Sequence, residues 1–247
     1  MTVRDPVCEM EIEPRRAAAM MTHEGRAWYF CSERCRDKFA ANPGIFINEA
    51  PAMRLTVGVM GSADNQQMEE HRRLARALGN TIAGEGMILI TGACPGLPYE
   101  CAVGAHNNKG MSVGISPALS LDEHVHKYLS PSDAFDVIIY TGSGLMGREV
   151  TNIRSSDIVI IVGGRSGTLG EFAIAYDEGK LIGVLEGTGG ITEQIPGLEA
   201  SFGKDTGATV LYDGDPQKLV SRLVEHYEKK QYRRPSCFCD EVMAAGG

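Results

Sequence analysis

From Leu55 to the end of residue 212 the chain repeats one pattern: a short, continuously apolar run, then a longer amphipathic stretch. The runs are "LTVGVMG", "MILIT", "SVGIS", "DVIIY", "DIVIIV", "LIGVL" and "ATVLY". Between the first two, Leu74, Leu78 and Ile82 recur at four-residue spacing and mark one face of a helix. Further helical patterns are read at 99–110, 146–156, 168–179 and from about Asp215. Strands apolar along their whole length and separated by helices belong in a parallel sheet covered on both faces. The expected fold is therefore α/β: a Rossmann-like doubly wound parallel sheet. Such sheets bind ligands beyond the carboxyl ends of their strands. The loops that follow strands there, "GSADN" (61–65), "TGACPGLP" (91–98), "TGSGLMGRE" (141–149) and "VGGRSGTLGE" (162–171), are rich in glycine and small hydroxyl residues.

The 247 residues leave room for a second, smaller domain. Composition changes near "NEAPAMR", so we place a Cys-rich domain at 1–47, a linker at 48–53, the α/β domain at 54–231 and a C-terminal tail at 232–247. A formal net charge of −8 gives nucleic acid or an anionic membrane no general attraction. The apolar runs are too short to span a bilayer, and Arg4, Asp5, Glu9, Glu11 and Glu13 interrupt any secretory signal, so a cytoplasmic location is expected. Seven unevenly spaced cysteines suit reduced thiols and metal ligation better than a disulfide framework.

In the fourth loop, Gly163, Gly164 and Gly167 allow close backbone approach, and the helix that follows offers its first N–H groups to an anion such as phosphate. Thr168-x-x-Glu171 also reads as a capping box, with Glu171 purely structural. Arg148, 23 positions upstream, begins a helix whose start lies at the same sheet edge, so it can share a cleft with Glu171 or pair with its neighbour Glu149.

Arg148, Asp157 nine residues later, the strand "IVIIV" and Gly163-Gly164-Arg165-Ser166-Gly167-Thr168-Leu169-Gly170-Glu171 resemble, without a gap, the signature of the Lonely Guy (LOG) phosphoribohydrolases: Arg, Asp, an apolar strand and P-G-G-x-G-T-x-x-E. "GSAD" and "TGACPGLPYECAVGAHNNKG" extend the resemblance over roughly 54–230. The departures are Gly163 for Pro, Arg165 for Gly, and Glu149 for the Lys that usually follows the key Arg. The resemblance implies cleavage of the N-glycosidic bond of a nucleoside 5′-monophosphate to free base and ribose 5-phosphate, with no metal required. Arg148 and Glu171 would be catalytic. Gly61, Ser62, Gly92, Gly96, Gly163, Gly164, Arg165, Ser166, Gly167 and Thr168 would hold the nucleotide and its phosphate. It also implies a homodimer. The alternative keeps the pocket for binding alone, as a nucleotide sensor or a carrier of a phosphorylated cofactor such as molybdopterin, with metal control through residues 1–47 as a further variant of it.

At the N-terminus, Cys8 precedes Cys31 and Cys35, three soft ligands able to converge on a tetrahedral ion such as zinc. Asp5, turned back by Pro6, is the favoured fourth ligand, and His23 lies in the intervening stretch. The other reading makes the cysteines small buried hydrophobes. "DPVCEM", "WYFCSERC" and "FAANP" resemble the YHS/TRASH treble-clef domains, with Glu9 at the usual glycine, and imply a domain binding zinc or another soft divalent metal. Cys101 is expected in the core and Cys94 at the cleft; Cys237 and Cys239 follow the basic "RRPS". His124 and His126, two apart, are expected on the surface or the cleft rim.

Overall fold

The computed structural model describes residues 2–23, 25–46 and 54–230, in two compact units that part between residues 53 and 54. The tail with Cys237 and Cys239 lies outside the described residues, as does the stretch read as a linker.

In the small unit, β1 (Val3–Arg4) pairs antiparallel with β2 (Glu11–Ile12), and β3 (Ala19–His23) with β4 (Arg26–Phe30). Helix α1 (Glu33–Ala41) follows, capped by Ser32, whose hydroxyl accepts the Cys35 N–H at 3.2 Å. Phe39 on α1 is fully buried, with Trp28, Phe30, His23 and Phe46 around its ring. Glu9 takes φ +62°, a left-handed conformation that a glycine adopts more easily.

The larger unit runs β5 (Thr56–Gly61), α2 (Glu69–Gly84), β6 (Ile88–Thr91), α3 (Leu97–Asn107), β7 (Met111–Ser116), α4 (Leu121–His126), β8 (Val137–Tyr140), α5 (Gly144–Arg154), β9 (Ile158–Val162), α6 (Ser166–Asp177), β10 (Leu181–Leu185), α7 (Ile195–Phe202), β11 (Thr209–Asp213) and α8 (Pro216–Lys230). Its strands form one sheet in the order β11-β10-β9-β5-β6-β7-β8, every pair parallel. The expected Rossmann-like α/β architecture is what the chain adopts. Side chains alternate across the strands. On β9, Ile158, Ile160 and Val162 face a core shared with Leu78 and Ile82 of α2 and Leu219 and Leu223 of α8. Val159 and Ile161 face the opposite core, with Phe172 of α6, Ile153 of α5 and Ile195 of α7.

Chain order reverses between β5 and β9, so the switch point that such sheets use for ligands lies at their carboxyl ends. At the opposite edge, Asp157 Oδ2 accepts both the N–H and the hydroxyl of Thr56 at 2.9 Å, tying the start of β9 to the start of β5. This member of the signature is scaffold.

Two helices depart from the sequence reading. Six-residue α4 is too short to show a period, and α7 carries Pro196 in its first turn after a glycine-rich stretch that reads as loop. With α4 comes a correction. His124 is fully buried, its Nδ1 at 2.9 Å from the Ser116 hydroxyl and its Nε2 at 3.1 Å from the Pro131 carbonyl, while His126 is exposed. No described helix is long and apolar enough to cross a membrane.

Candidate ligand cleft and metal centre

A cleft of about 490 Å³ opens at the switch point. Its walls come from the ends of β5 (Met60, Gly61, Ser62, Asp64) and β6 (Gly92, Cys94), from α5 (Arg148, Glu149) and from the start of α6 (Arg165, Gly167, Thr168, Glu171). The four glycine-rich loops thus converge as their sequence order implies.

Arg148 and Glu171, 23 residues apart in sequence, meet here: Nη1 stands 3.4 Å from Oε1, with both side chains 8% exposed. Gly92 makes the meeting possible, because a Cβ there would lie 2.1 Å from the Arg148 Nη1. Burial pushes the Glu171 carboxyl up to about 7; Arg148 opposes the shift and the nearby carboxylate of Glu149 adds to it. Glu149 is raised for the same reason, again against the pull of Arg148. One guanidinium therefore serves two dry carboxyl groups. The Arg148 Nε and one Glu149 oxygen have no hydrogen-bond partner among the described residues. Cys94 lines the same wall, its thiol pushed up to about 11 by burial.

The capping-box alternative does not form. The position before α6 is Arg165, no side chain caps the helix, and Thr168 and Glu171 lie inside it. The first helical bond runs from Leu169 N–H to the Arg165 carbonyl at 2.9 Å, so the amides of Ser166, Gly167 and Thr168 precede it. Those amides and the helix dipole give the cleft positive potential without a formal charge. Arg165 adds one at the rim, where its Nη2 meets Asp64 Oδ2 at 2.6 Å. The Arg165–Asp64 pair eluded the sequence reading, which named Arg165 and the "GSADN" loop but had no signal to join residues 101 apart.

The glycines divide by role. Gly61 and Gly92 line the cleft, and Gly167 opens the first turn of α6. Gly163 and Gly164 pack instead: the Gly163 N–H donates to the Thr188 hydroxyl at 2.9 Å, and a Cβ on Gly164 would lie 2.3 Å from the Thr168 Oγ1. Gly96, ahead of α3, lets the chain pass the Ser62 carbonyl, which a Cβ would approach to 2.1 Å. Ser166 is exposed and outside the cleft lining. Cys101 is core, as expected.

In the small unit, ligand atoms of Asp5, Cys8, Cys31 and Cys35 all lie within 4.8 Å of one another. The Cys8 and Cys31 sulfurs are 3.3 Å apart and those of Cys31 and Cys35 3.7 Å. Sulfurs bound to one ion at 2.3 Å stand roughly 3.8 Å apart, so these three converge closely enough to share a cation. Burial pushes the Cys8 and Cys35 thiols up, and the negative charge of Asp5 beside them adds to the rise. The donor set fits a soft metal. His23 packs edge-on against Phe39 at 5.9 Å and is not part of the cluster.

A doubly wound parallel sheet with a helix N-terminus and a buried guanidinium–carboxyl pair at its switch point defines a Rossmann-like α/β protein with a built ligand cleft. Residues 54–220 match the model of the SLOG cluster4 family, and the chain belongs to that family. Residues 3–50 match the YHS domain. The chain is similar to an uncharacterized protein of Archaeoglobus fulgidus, 36% identical over 132 residues, 53% of this chain and 80% of that one. Over 45 residues, 18% of this chain and 5% of the other, it is 51% identical to a copper-transporting P-type ATPase of Rhizobium leguminosarum bv. viciae. Among solved structures, the molybdenum cofactor carrier protein from Chlamydomonas reinhardtii is 29% identical, with 71% of this chain and 100% of that chain covered and a TM-score of 0.58.

Proposed function

We propose that the larger unit hydrolyses the N-glycosidic bond of a nucleoside 5′-monophosphate, releasing free base and ribose 5-phosphate. One observation carries the reading: in Glu171 the cleft holds a carboxyl group brought near neutrality by dryness, within reach of Arg148 and one turn from a free helix N-terminus. The 5′-phosphate docks on the amides that open α6, with the Thr168 hydroxyl and Arg165 beside it. Water oxygen bonds to C1′ as the C1′–N bond breaks, and the bonding pair leaves with the base. Glu171 stabilises the positive charge that develops on the ribose and takes the proton from water; that proton ends on the departing nitrogen. A carboxyl with its pKa near the working pH both accepts and returns a proton readily. Arg148 orients Glu171 and the ribose. A second copy of the chain completes the functional assembly in this reading, as the LOG resemblance implies. In the small unit, Cys8, Cys31 and Cys35, with Asp5 beside them, hold a soft metal ion such as zinc or copper; the similarity to the copper-transporting ATPase supports this half.

The similarity of 71% of this chain to the whole of a molybdenum cofactor carrier favours a second reading, in which the same cleft carries a phosphorylated cofactor without turning it over. One experiment separates the two. Purified protein is incubated with a panel of nucleoside 5′-monophosphates, ribose 5-phosphate is assayed, and binding is measured by calorimetry. Hydrolysis by the wild type, lost in Glu171→Gln with binding retained, is the expected result. Turnover that survives the substitution removes Glu171 from the mechanism, and tight binding without turnover in the wild type establishes the carrier.

A further inference from the structure

The charges around the cleft of the larger unit sort into two pairs and a remainder. At the rim Arg165 Nη2 meets Asp64 Oδ2 at 2.6 Å, and inside it Arg148 Nη1 stands 3.4 Å from Glu171 Oε1. Glu149 is left over. It lines the same wall and is only 6% exposed, yet its Oε2 has no hydrogen-bond partner among the described residues. That oxygen lies beside α6 at Gly170, 3.8 Å from where a Cβ would stand, one turn beyond the amides that open the helix. Those amides and Arg165 make one end of the cleft anion-binding. The other end holds two dry carboxyl groups against a single guanidinium, and a carboxylate kept out of water without a counter-charge is destabilised until a cation arrives beside it. The cleft is therefore polarised, suited to a ligand negative at one end and positive at the other.

Building on the hydrolytic reading of this cleft, we propose that its substrate is a nucleoside 5′-monophosphate whose base is a cationic, pyridinium-type ring, and that Glu149 selects the positive charge. The 5′-phosphate sits at the start of α6, and the ring is drawn to the Glu149 side. Attraction between charges in a dry site acts over several ångströms, so the buried oxygen discriminates without touching the ring. The Arg148 Nε, also without a partner among the described residues, is a donor for a ribose hydroxyl. Such a ring matches the acid–base groups at hand. Water oxygen bonds to C1′, the C1′–N bond breaks, and its electron pair neutralises the ring nitrogen, which leaves as a neutral pyridine. The departing nitrogen needs no proton. Glu171 takes one from water and passes it to solvent, so a single acid–base carboxyl suffices and each turnover releases a proton. Glu149 then stays ionised as the counter-charge.

The test uses the full-length protein, with nicotinamide mononucleotide as the cationic probe and AMP, CMP and UMP as neutral-base probes. Reduced nicotinamide mononucleotide, nearly the same shape without the ring charge, serves as the control for binding. Release of ribose 5-phosphate gives kcat/KM, and calorimetry gives Kd. The pyridinium compound should be turned over at least about tenfold more efficiently than the neutral-base set and bind about tenfold more tightly than its reduced form. Because a pyridinium is also the better leaving group, the binding comparison is the decisive one. Glu149→Gln keeps the shape and removes the charge, and should narrow the binding preference to within about threefold. A preference that persists in the variant refutes the role of Glu149. Equal binding of the two forms by the wild type overturns the inference even if the variant folds poorly. Turnover of AMP, CMP or UMP without turnover of the cationic probe also overturns it, while leaving the hydrolytic reading intact. Preferential binding of the cationic probe with no turnover of any compound removes the hydrolytic reading and upholds the selection of a positive ring.

Discussion

Val7, Phe30, Cys35 and Phe39 are the buried apolar core of the small unit, and one of the four carries a candidate metal ligand. The larger unit packs both faces of a seven-stranded sheet, with its charged cleft residues placed at strand and helix ends outside those cores. Core and site share a candidate ligand, Cys35, in one case, whereas in the other the charged groups stand apart from the core. A domain of this size is marginal on apolar burial alone, so a cation bound by its thiolates would also hold its fold. In the larger unit the sheet is stable enough to keep a carboxyl group dry and poorly paired, which is what an acid–base group near neutrality requires.

The largest expected effect probes that contrast directly. Stripping metal with a chelator, or replacing Cys35 with Ser, should abolish cooperative unfolding of the small unit, since structural metal sites in such domains contribute on the order of 10 kcal/mol. The unfolding transition of the larger unit should stay where it was. Calorimetry resolving both transitions checks this, and a larger unit that melts along with the small one breaks the comparison.

Next comes Gly92→Ala, whose methyl would land 2.1 Å from the Arg148 Nη1 and push the guanidinium from Glu171. With the reacting groups displaced by about an ångström, kcat/KM for a nucleoside monophosphate should fall about 100-fold. The fold should survive, as shown by an unchanged circular dichroism spectrum.

The pH profile sharpens the same point. Glu171 must be ionised to accept a proton, so kcat/KM should rise about tenfold per pH unit on the acid side and level off above about pH 7. Its linkage to stability runs the opposite way. Between the ordinary 4.5 and about 7 the native carboxyl keeps a proton that the unfolded chain has released, so this group's contribution to stability falls as pH rises through that window. Glu171→Gln should remove both trends.

Glu9→Gly should have the smallest effect. It relieves a left-handed conformation at φ +62°, which costs a non-glycine residue roughly 1 kcal/mol, and part of the gain is lost to the freer unfolded chain. The metal-loaded small unit should unfold a few degrees higher.

The parallel α/β architecture and the cleft position were legible in the sequence because both follow from a local, repeated pattern: apolar runs of β length, helices between them, glycine at the carboxyl ends; the strand order was not. Helix α4 was not, since six residues hold too little periodicity, and the burial of His124 depends on Ser116 and Pro131 from neighbouring segments. Motif residues were legible as a set but not by role. Asp157 ties two strand starts, Gly163 and Gly164 give neighbouring chain room, and Arg148, Glu149, Arg165, Gly167, Thr168 and Glu171 line the cleft. Spacing shows which residues recur together; which of them are dry, and which face each other, depends on contacts that no local pattern encodes. The bonds of the Asp5 carboxylate to the N–H groups of Val7 and Cys31 are of this kind, because Asp5 and Cys31 lie 26 residues apart.

Gly92 makes no bond to Arg148 or Glu171, yet its lack of a side chain decides whether those two can meet. Inspecting polar groups alone would pass over it, because what it contributes is emptiness. At so close an approach, a vacant volume the size of one methyl group directs chemistry as surely as a charge does, and change at such a position is closed to every larger residue unless the arginine moves first.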